Sequence, residues 1–315
     1  MILLVSNTGD ATSNYFEQRA EERGVPITRL NTDVLAAVSV QFQVSGGTVA
    51  GRLKLGGQNI AIEEITSIYY RRPVLPDVPS SDVAQGQWTQ NEIRCTWAGI
   101  LHSLRSVRWV NHPLAISAAA YKPEQLVRAS RFGLCVPPTI LTNDPLEALI
   151  FCRYHDWQIV VKPVGHGELR GESREDDRLV YTTALPEMTA EDLDDVRNCA
   201  TLFQRRIPKM ADIRVTIVGE ECLAVSMVQP AGRSVDIRRD NMRGVRYEVH
   251  HLPSAVRSLL VQLVRSYDLV FGAIDLVLDE SGTYWYLELN PAGQWAWLEE
   301  HTQVPISSAL LAVLR

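Results

Sequence analysis

DLVLDESGTYWYLELNP, residues 275–291, contains two alternating apolar runs separated by Asp279, Glu280, Ser281 and Gly282. Alternation interrupted by turn residues predicts a β-hairpin. With Ser281-Gly282 as a two-residue turn, Asp275 falls opposite Glu288, and opposed side chains in an antiparallel pair have Cβ atoms ~4.5–5.5 Å apart. Two carboxylates at that distance repel. Residues i and i+2 of a strand share a face, so Asn290 joins Glu288. A repelling acid pair with an amide oxygen beside it suits a hard divalent cation, and Mg2+ is commonly held by one or two carboxylates together with substrate phosphates. The alternative is a solvent-facing polar stripe on an edge hairpin. Against it stand Leu276, Leu278, Tyr284 and Tyr286, which need a covered face. A four-residue turn would shift the register and spoil the opposition.

Upstream, VVKP at 160–163 ends an apolar strand on Lys162 and runs into VGHGELRGES at 164–173. A lysine there is costly unless its ammonium meets an anion, and glycines at 165, 167 and 171 let backbone amides approach phosphate oxygens. A mobile loop after a surface lysine explains the same string. Lys122 opens the helix KPEQLVRASRF, with Pro123 in its first turn and Gly133 past its end. In LFQRRIPKMADIR, Gln204 closes a strand at a hinge, and alternation sets Asp212 and Arg214 on one face of the next strand. VDIRRDN adds Arg238 and Asn241. Arginine suits bidentate contact with carboxylate or phosphate, although each of these residues taken singly is more often a member of a surface ion pair.

The first third alternates strand and helix: strands over Ile2–Val5, Pro26–Leu30, Ile65–Tyr70 and Arg108–Asn111, helices over Tyr15–Arg23 and Asn91–Leu104, and glycine-punctuated hairpins over 38–63. A helix is expected over 117–132. The 315 residues carry 37 acids and 31 bases for a net charge of −6, which argues against a protein that grips nucleic-acid backbone by bulk charge. No apolar run approaches the ~18 residues of a membrane helix, and MILLVS is too short for a secretory segment, so a cytosolic chain is expected. Five widely spaced cysteines without a CxxC predict packed free thiols rather than disulfides or zinc.

Taken in order, Lys122, Lys162, the glycine loop, the hinge, Asp212-x-Arg214, Asp275 and Glu288-x-Asn290 resemble the ATP-grasp ligase superfamily over about residues 111–300. The resemblance implies an α/β and α+β ATP-grasp fold: a Rossmann-like pre-ATP-grasp domain over 1–115, a lid over 116–205 and a C-terminal subdomain over 206–315. It implies that Lys122 and Lys162 contact ATP phosphates, that residues 165–171 with Gly165 and Gly167 close over them, and that Gln204, Arg205 and Ile207 frame the adenine. Asp212 would reach the ribose, Arg214 the phosphates, and Asn241 would join the nucleotide set. Arg214, Arg238 and Lys162 would be catalytic, and Asp275, Glu288 and Asn290 would ligate Mg2+. Arg205-Arg206 departs from the acidic or amide hinge usual in the family.

YYRRP at 69–73, WVNHP at 109–113, VPPTILTNDP at 136–145 and NPAGQWAWLE at 290–299 are similar to the microviridin-type or graspetide macrocyclases, which mature ribosomal peptides. The implied substrate is a short precursor peptide of leader and core. One of its Asp or Glu side chains would be phosphorylated by ATP and then joined to Ser, Thr or Lys. The acidic helix around Glu191, Asp192, Asp194 and Asp195 is a candidate leader contact, with a solvated helix face as the alternative. A homodimer is expected by analogy. The rivals are a glutathione-synthetase-like ligase that adds an amino acid to a peptide or protein terminus, and a nucleotide-binding module without catalysis.

Overall fold

The N-terminal apolar run forms the strand Ile2–Ser6, buried along its whole length. It lies inside a four-stranded parallel sheet in the order Ile27–Asn31, Ile2–Ser6, Ser67–Tyr70, Arg108–Val110. A parallel strand covered on both faces needs such a continuous apolar stretch. The computed structural model describes all residues except 56, 105, 166, 170–177, 231–234 and 241, and not the side chains of 36, 37, 168 and 240.

Two compact units emerge. The first contains Met1–Ile116, Asp268–Phe271 and Ala292–Arg315; the second contains Ser117–Tyr267 and Gly272–Pro291. In the first, residues 38–63 give a three-stranded antiparallel sheet, Ser39–Ser45, Thr48–Leu55 and Gln58–Ala61. Helix Val83–Ser103 starts eight residues before the Asn91 expected from its apolar stripe. Asp82 caps it by accepting from the Ala84 and Gln85 amides, and its opening turns are largely exposed, so no apolar period marks them. Buried Arg71, only 2% exposed, pairs with Asp10 at 3.2 Å and donates to the Ala292 and Gly293 carbonyls at 2.9 and 2.7 Å. Its remaining nitrogen donates to Gln294 Oε1 at 2.8 Å. Trp295 lies fully buried, hydrogen-bonded to Tyr69 Oη at 3.0 Å and edge-on to Tyr15 and Phe16.

The second unit holds a four-stranded antiparallel sheet in the order Thr183–Ala184, Ile159–Lys162, Thr201–Arg205, Thr139–Thr142. A short hairpin pairs Glu168–Leu169 with Arg178–Leu179. A five-stranded sheet follows the order Arg246–His250, Glu221–Val228, Ala211–Val218, Phe271–Leu278, Tyr284–Asn290. The span expected as helical over 117–132 holds the end of one helix, Pro113–Ala118, and a second, Lys122–Arg131, that opens at Lys122 as expected. Pro123 sits in the first turn of the second, where its missing amide costs nothing. All five cysteines are free, but only Cys152 is fully buried; Cys95, Cys135 and Cys199 are exposed, which corrects the expectation of packed thiols. Among the described residues no helix is long and apolar enough to cross a membrane.

Candidate active site

The terminal hairpin brings the two acids together, though by another route than the two-residue turn. Asp279 N donates to Thr283 O at 3.1 Å, leaving Glu280, Ser281 and Gly282 as a three-residue turn with Gly282 at φ +83°. Such a turn needs a residue that tolerates the left-handed region, which glycine supplies. Asp279 builds this corner: its carboxylate accepts from the Ser281 and Thr283 amides at 2.9 Å and from Trp285 Nε1 at 2.7 Å. Hydrogen bonds from Ser281 and Trp285 hold its pKa down at about 2. The longer turn pairs Leu278 with Tyr284 and Leu276 with Tyr286. A bulge at Leu287 then shifts the register by one, so that Asp275 pairs with Glu288. The bulge also separates faces: Tyr286 and Leu289 are buried while Glu288 and Asn290 are partly accessible, whereas strict alternation would put Tyr286 and Glu288 on one side.

Each acid has its own cation. Arg214 Nε lies 3.1 Å from Asp275 Oδ1, and Lys122 Nζ lies 3.3 Å from Glu288 Oε2. Burial pushes the Asp275 carboxyl up to about 6, opposed by Arg214 and reinforced by Glu288. Burial acts the same way on Glu288, but Lys122 and Lys162 outweigh it and hold that carboxyl below its ordinary value. Lys122 also donates to the carbonyls of Pro163 at 2.8 Å and Gly165 at 3.3 Å. Lys162 donates to Gln204 Oε1 at 2.7 Å, and burial draws its pKa down to about 8.

An all-oxygen set of two facing carboxylates with an amide two residues along the same strand fits Mg2+. Among the described residues no group of three or more His, Cys, Asp or Glu side chains gathers as a metal site, and here the acids number two, with Asn290 the third candidate ligand.

Gly167, at φ +68°, has room for no side chain, since a Cβ there would come within 2.9 Å of the Pro163 ring and the Val180 carbonyl. Gly165 has open space around its Cα. Gln204 is buried within its strand, its side-chain amide bridging Lys162 and, at 2.9 Å, Thr139 Oγ1. Arg205 is exposed and Ile207 half-buried just beyond it. Asp212 accepts from Lys209 Nζ at 2.7 Å, yet burial keeps its carboxyl above the usual range. Arg238, with 61% of its side chain exposed, is held by Asp236 at 2.9 and 2.6 Å, and Asp236 also accepts from the Thr182 amide at 3.1 Å. Asn241, His166 and residues 170–177, Gly171 included, lie outside the described residues. The acidic segment expected as a helix is a short 3-10 stretch, Asp194–Asn198, whose Asp194 pairs with Arg197 at 2.7 Å.

The sequence reading passed over Gln125, Lys209 and Asp236. Gln125 left a signal: it shares the buried face of its helix with Leu126 and Ala129, a position where a glutamine needs partners.

Opposed acids on a terminal hairpin, Lys122, Lys162 and Arg214 near them, and Gly165 and Gly167 following the strand that ends at Lys162 are the features an ATP-grasp reading expects. A model of the MvdD pre-ATP-grasp domain matches residues 1–117, and one of the RimK-like ATP-grasp domain matches 187–314. No curated protein sequence matches the chain. Among solved structures it resembles macrocyclase MdnC of Microcystis aeruginosa MRC bound with precursor peptide MdnA, at 25% identity and TM-score 0.86 over 99% of this chain and 98% of that one. A Chryseobacterium gregarium RiPP-associated ATP-grasp ligase, in complex with ADP and a leader and core peptide, matches at 25% identity and TM-score 0.89 over 99% and 96%. Macrocyclase MdnB of Microcystis aeruginosa MRC matches at 29% identity and TM-score 0.80 over 99% and 98%. The two ATP-grasp domain models together span most of the chain, which belongs to the ATP-grasp ligase superfamily, and the solved structures it resembles are ribosomal-peptide maturases.

Proposed function

We propose that the protein is an ATP-dependent ligase that closes rings between side chains of one ribosomally made precursor peptide. The observation carrying this reading is the register pairing of Asp275 with Glu288, each acid matched by a cation, Arg214 at 3.1 Å and Lys122 at 3.3 Å. The likeness to a macrocyclase bound with its precursor, and to a ligase bound with ADP, leader and core, supports the peptide as substrate and ATP as the energy source.

A peptide Asp or Glu carboxylate attacks the γ-phosphorus of ATP, the bond to the β-phosphate breaks, and ADP leaves with an acyl phosphate formed. A Ser or Thr hydroxyl, or a Lys amine, attacks the acyl carbon; inorganic phosphate departs, a proton is released, and an ester or amide remains. The obstacle is electrostatic, because a carboxylate must approach a polyanion, so positioning and charge neutralisation carry the catalysis. Lys122 and Lys162 bind phosphate oxygens, Arg214 and Arg238 steady the transferring phosphoryl and the acyl group, and the chain around Gly165 and Gly167 excludes water. Held by Asp275, Glu288 and Asn290, Mg2+ would neutralise phosphate charge.

The test is mass spectrometry of a candidate precursor, to be sought among the short reading frames beside the gene, after incubation with enzyme, ATP and Mg2+. Loss of one water per ring is expected, with Glu288→Gln inactive but folded by circular dichroism. Unchanged mass with the parent enzyme overturns the reading. A gain equal to an amino-acid residue would favour terminal addition instead.

A further inference from the structure

Among the described residues strand Tyr284–Asn290 is the edge of its sheet, with no neighbouring strand on one side of its backbone. Two groups substitute for one. The Cys135 carbonyl accepts from the Tyr286 amide at 2.7 Å. The Gln125 side chain takes both backbone groups of Leu289, its Oε1 accepting from Leu289 N at 2.8 Å and its Nε2 donating to Leu289 O at 2.8 Å. Gln125 is 2% exposed, and its other two contacts, the Ala119 carbonyl at 2.6 Å and Tyr286 Oη at 3.1 Å, leave its amide fully used.

Leu289 separates Glu288 from Asn290. Lys122, whose ammonium meets Glu288 at 3.3 Å, stands one turn before Gln125 on the same helix. The geometry points to Gln125 as a positioning residue that locks the helix bearing Lys122 to the strand bearing two metal-ligand candidates, setting the distance between phosphate cation and metal cage. This inference rests on the ATP-grasp reading above. It adds a residue that touches neither nucleotide nor metal but sets the metal cage against Lys122 through a paired backbone.

Gln125→Met keeps volume and shape while removing both hydrogen bonds to Leu289; Gln125→Glu keeps the acceptor for Leu289 N. Outer-shell partners of metal ligands are worth roughly 10- to 100-fold in affinity. The full-length variants are to be titrated with ADP, with and without Mg2+, by calorimetry, alongside amide exchange of the 284–290 strand. Gln125→Met should keep Mg2+-free ADP binding, lose 10- to 100-fold of the affinity that Mg2+ adds, and exchange Leu289 faster; Gln125→Glu should fall between it and the parent. Parent-like Mg2+-dependent affinity in a folded Gln125→Met overturns the inference, as does an equal loss with and without Mg2+, which marks a general packing role. If Gln125→Met does not fold, parent-like behaviour of Gln125→Glu, in both titration and Leu289 exchange, overturns it. Absence of any Mg2+-enhanced ADP binding in the parent chain would overturn the functional reading, and this inference with it.

Discussion

Lys162 ends a strand whose first two residues are buried, and among the described residues its ammonium donates to the neutral Gln204 side-chain oxygen at 2.7 Å. Burial depresses its pKa to about 8, with Glu288 opposing and Lys122 adding to the shift. Below about pH 8 the folded chain offers phosphate a charged lysine; above it the charge is lost. Unfolded lysine keeps its proton to about pH 10.4, so between these values the unfolded chain binds more protons, and this group's contribution to stability rises with pH. Nucleotide affinity and stability should therefore move in opposite directions. ADP binding is expected to weaken roughly tenfold per pH unit above about pH 8, with thermal stability not falling in step. Lys162→Arg, which stays protonated, should flatten the binding profile. A limb that persists in Lys162→Arg would assign it to another group.

At the level of the element, the hairpin shows how a register is kept by two offsetting irregularities. Its turn has one residue more than an Asn-Gly-type loop, and the bulge adds one residue to the returning strand only. Leu287 is that extra residue. Deleting it leaves Asp275 opposite Glu288 by regular pairing, so ADP binding with Mg2+ should survive within roughly tenfold. Inserting one alanine after Leu287 in a regular ladder moves Glu288 opposite Ala273, a diagonal ~7–8 Å from Asp275, and should abolish the Mg2+ effect. Equal behaviour of the two variants in the same titration would refute this account of the register. The bulge also explains the faces, since it lets Tyr286 enter the core without dragging Glu288 with it.

On the scale of the molecule, the chain leaves the second unit at Pro291, and the first unit takes up its last 24 residues, Ala292–Arg315. Arg71 anchors that return inside the first unit by holding the carbonyls of 292 and 293, while Asp10 is steadied by Ser13 Oγ at 2.6 Å and Ser6 Oγ at 3.2 Å. Burial of Asp10 works against its charge, and Arg71 with these hydroxyls outweighs burial, holding the carboxyl below its ordinary range. Removing one partner of a buried pair strands the other, at a cost of about 3–5 kcal/mol. Arg71→Met should therefore lower stability in urea by about that amount, and adding Asp10→Asn should recover part of it. A double variant no better than the single would mean that the carbonyl contacts, not the ion pair, dominate.

Much of the site was legible because it depends on short-range periodicity. Alternation around 279–282 announces a hairpin, the position of Lys162 at the end of an apolar run announces a costly cation, and Asp212-x-Arg214 share a face by the period of two. The parallel sheet of the first unit follows likewise from buried apolar strands joined by crossovers. What periodicity cannot carry is any pairing that depends on separation in three dimensions. The bulge at Leu287, the grip of Gln125 on Leu289 164 positions away, and the closure of Arg71 on Ala292 221 positions away arise when chain segments pack and unpaired backbone groups must find partners. By itself the sequence determined which residues carry charge and which face of each element they occupy; only the tertiary structure decided which charges meet, because burial and distance, rather than residue type, set that choice.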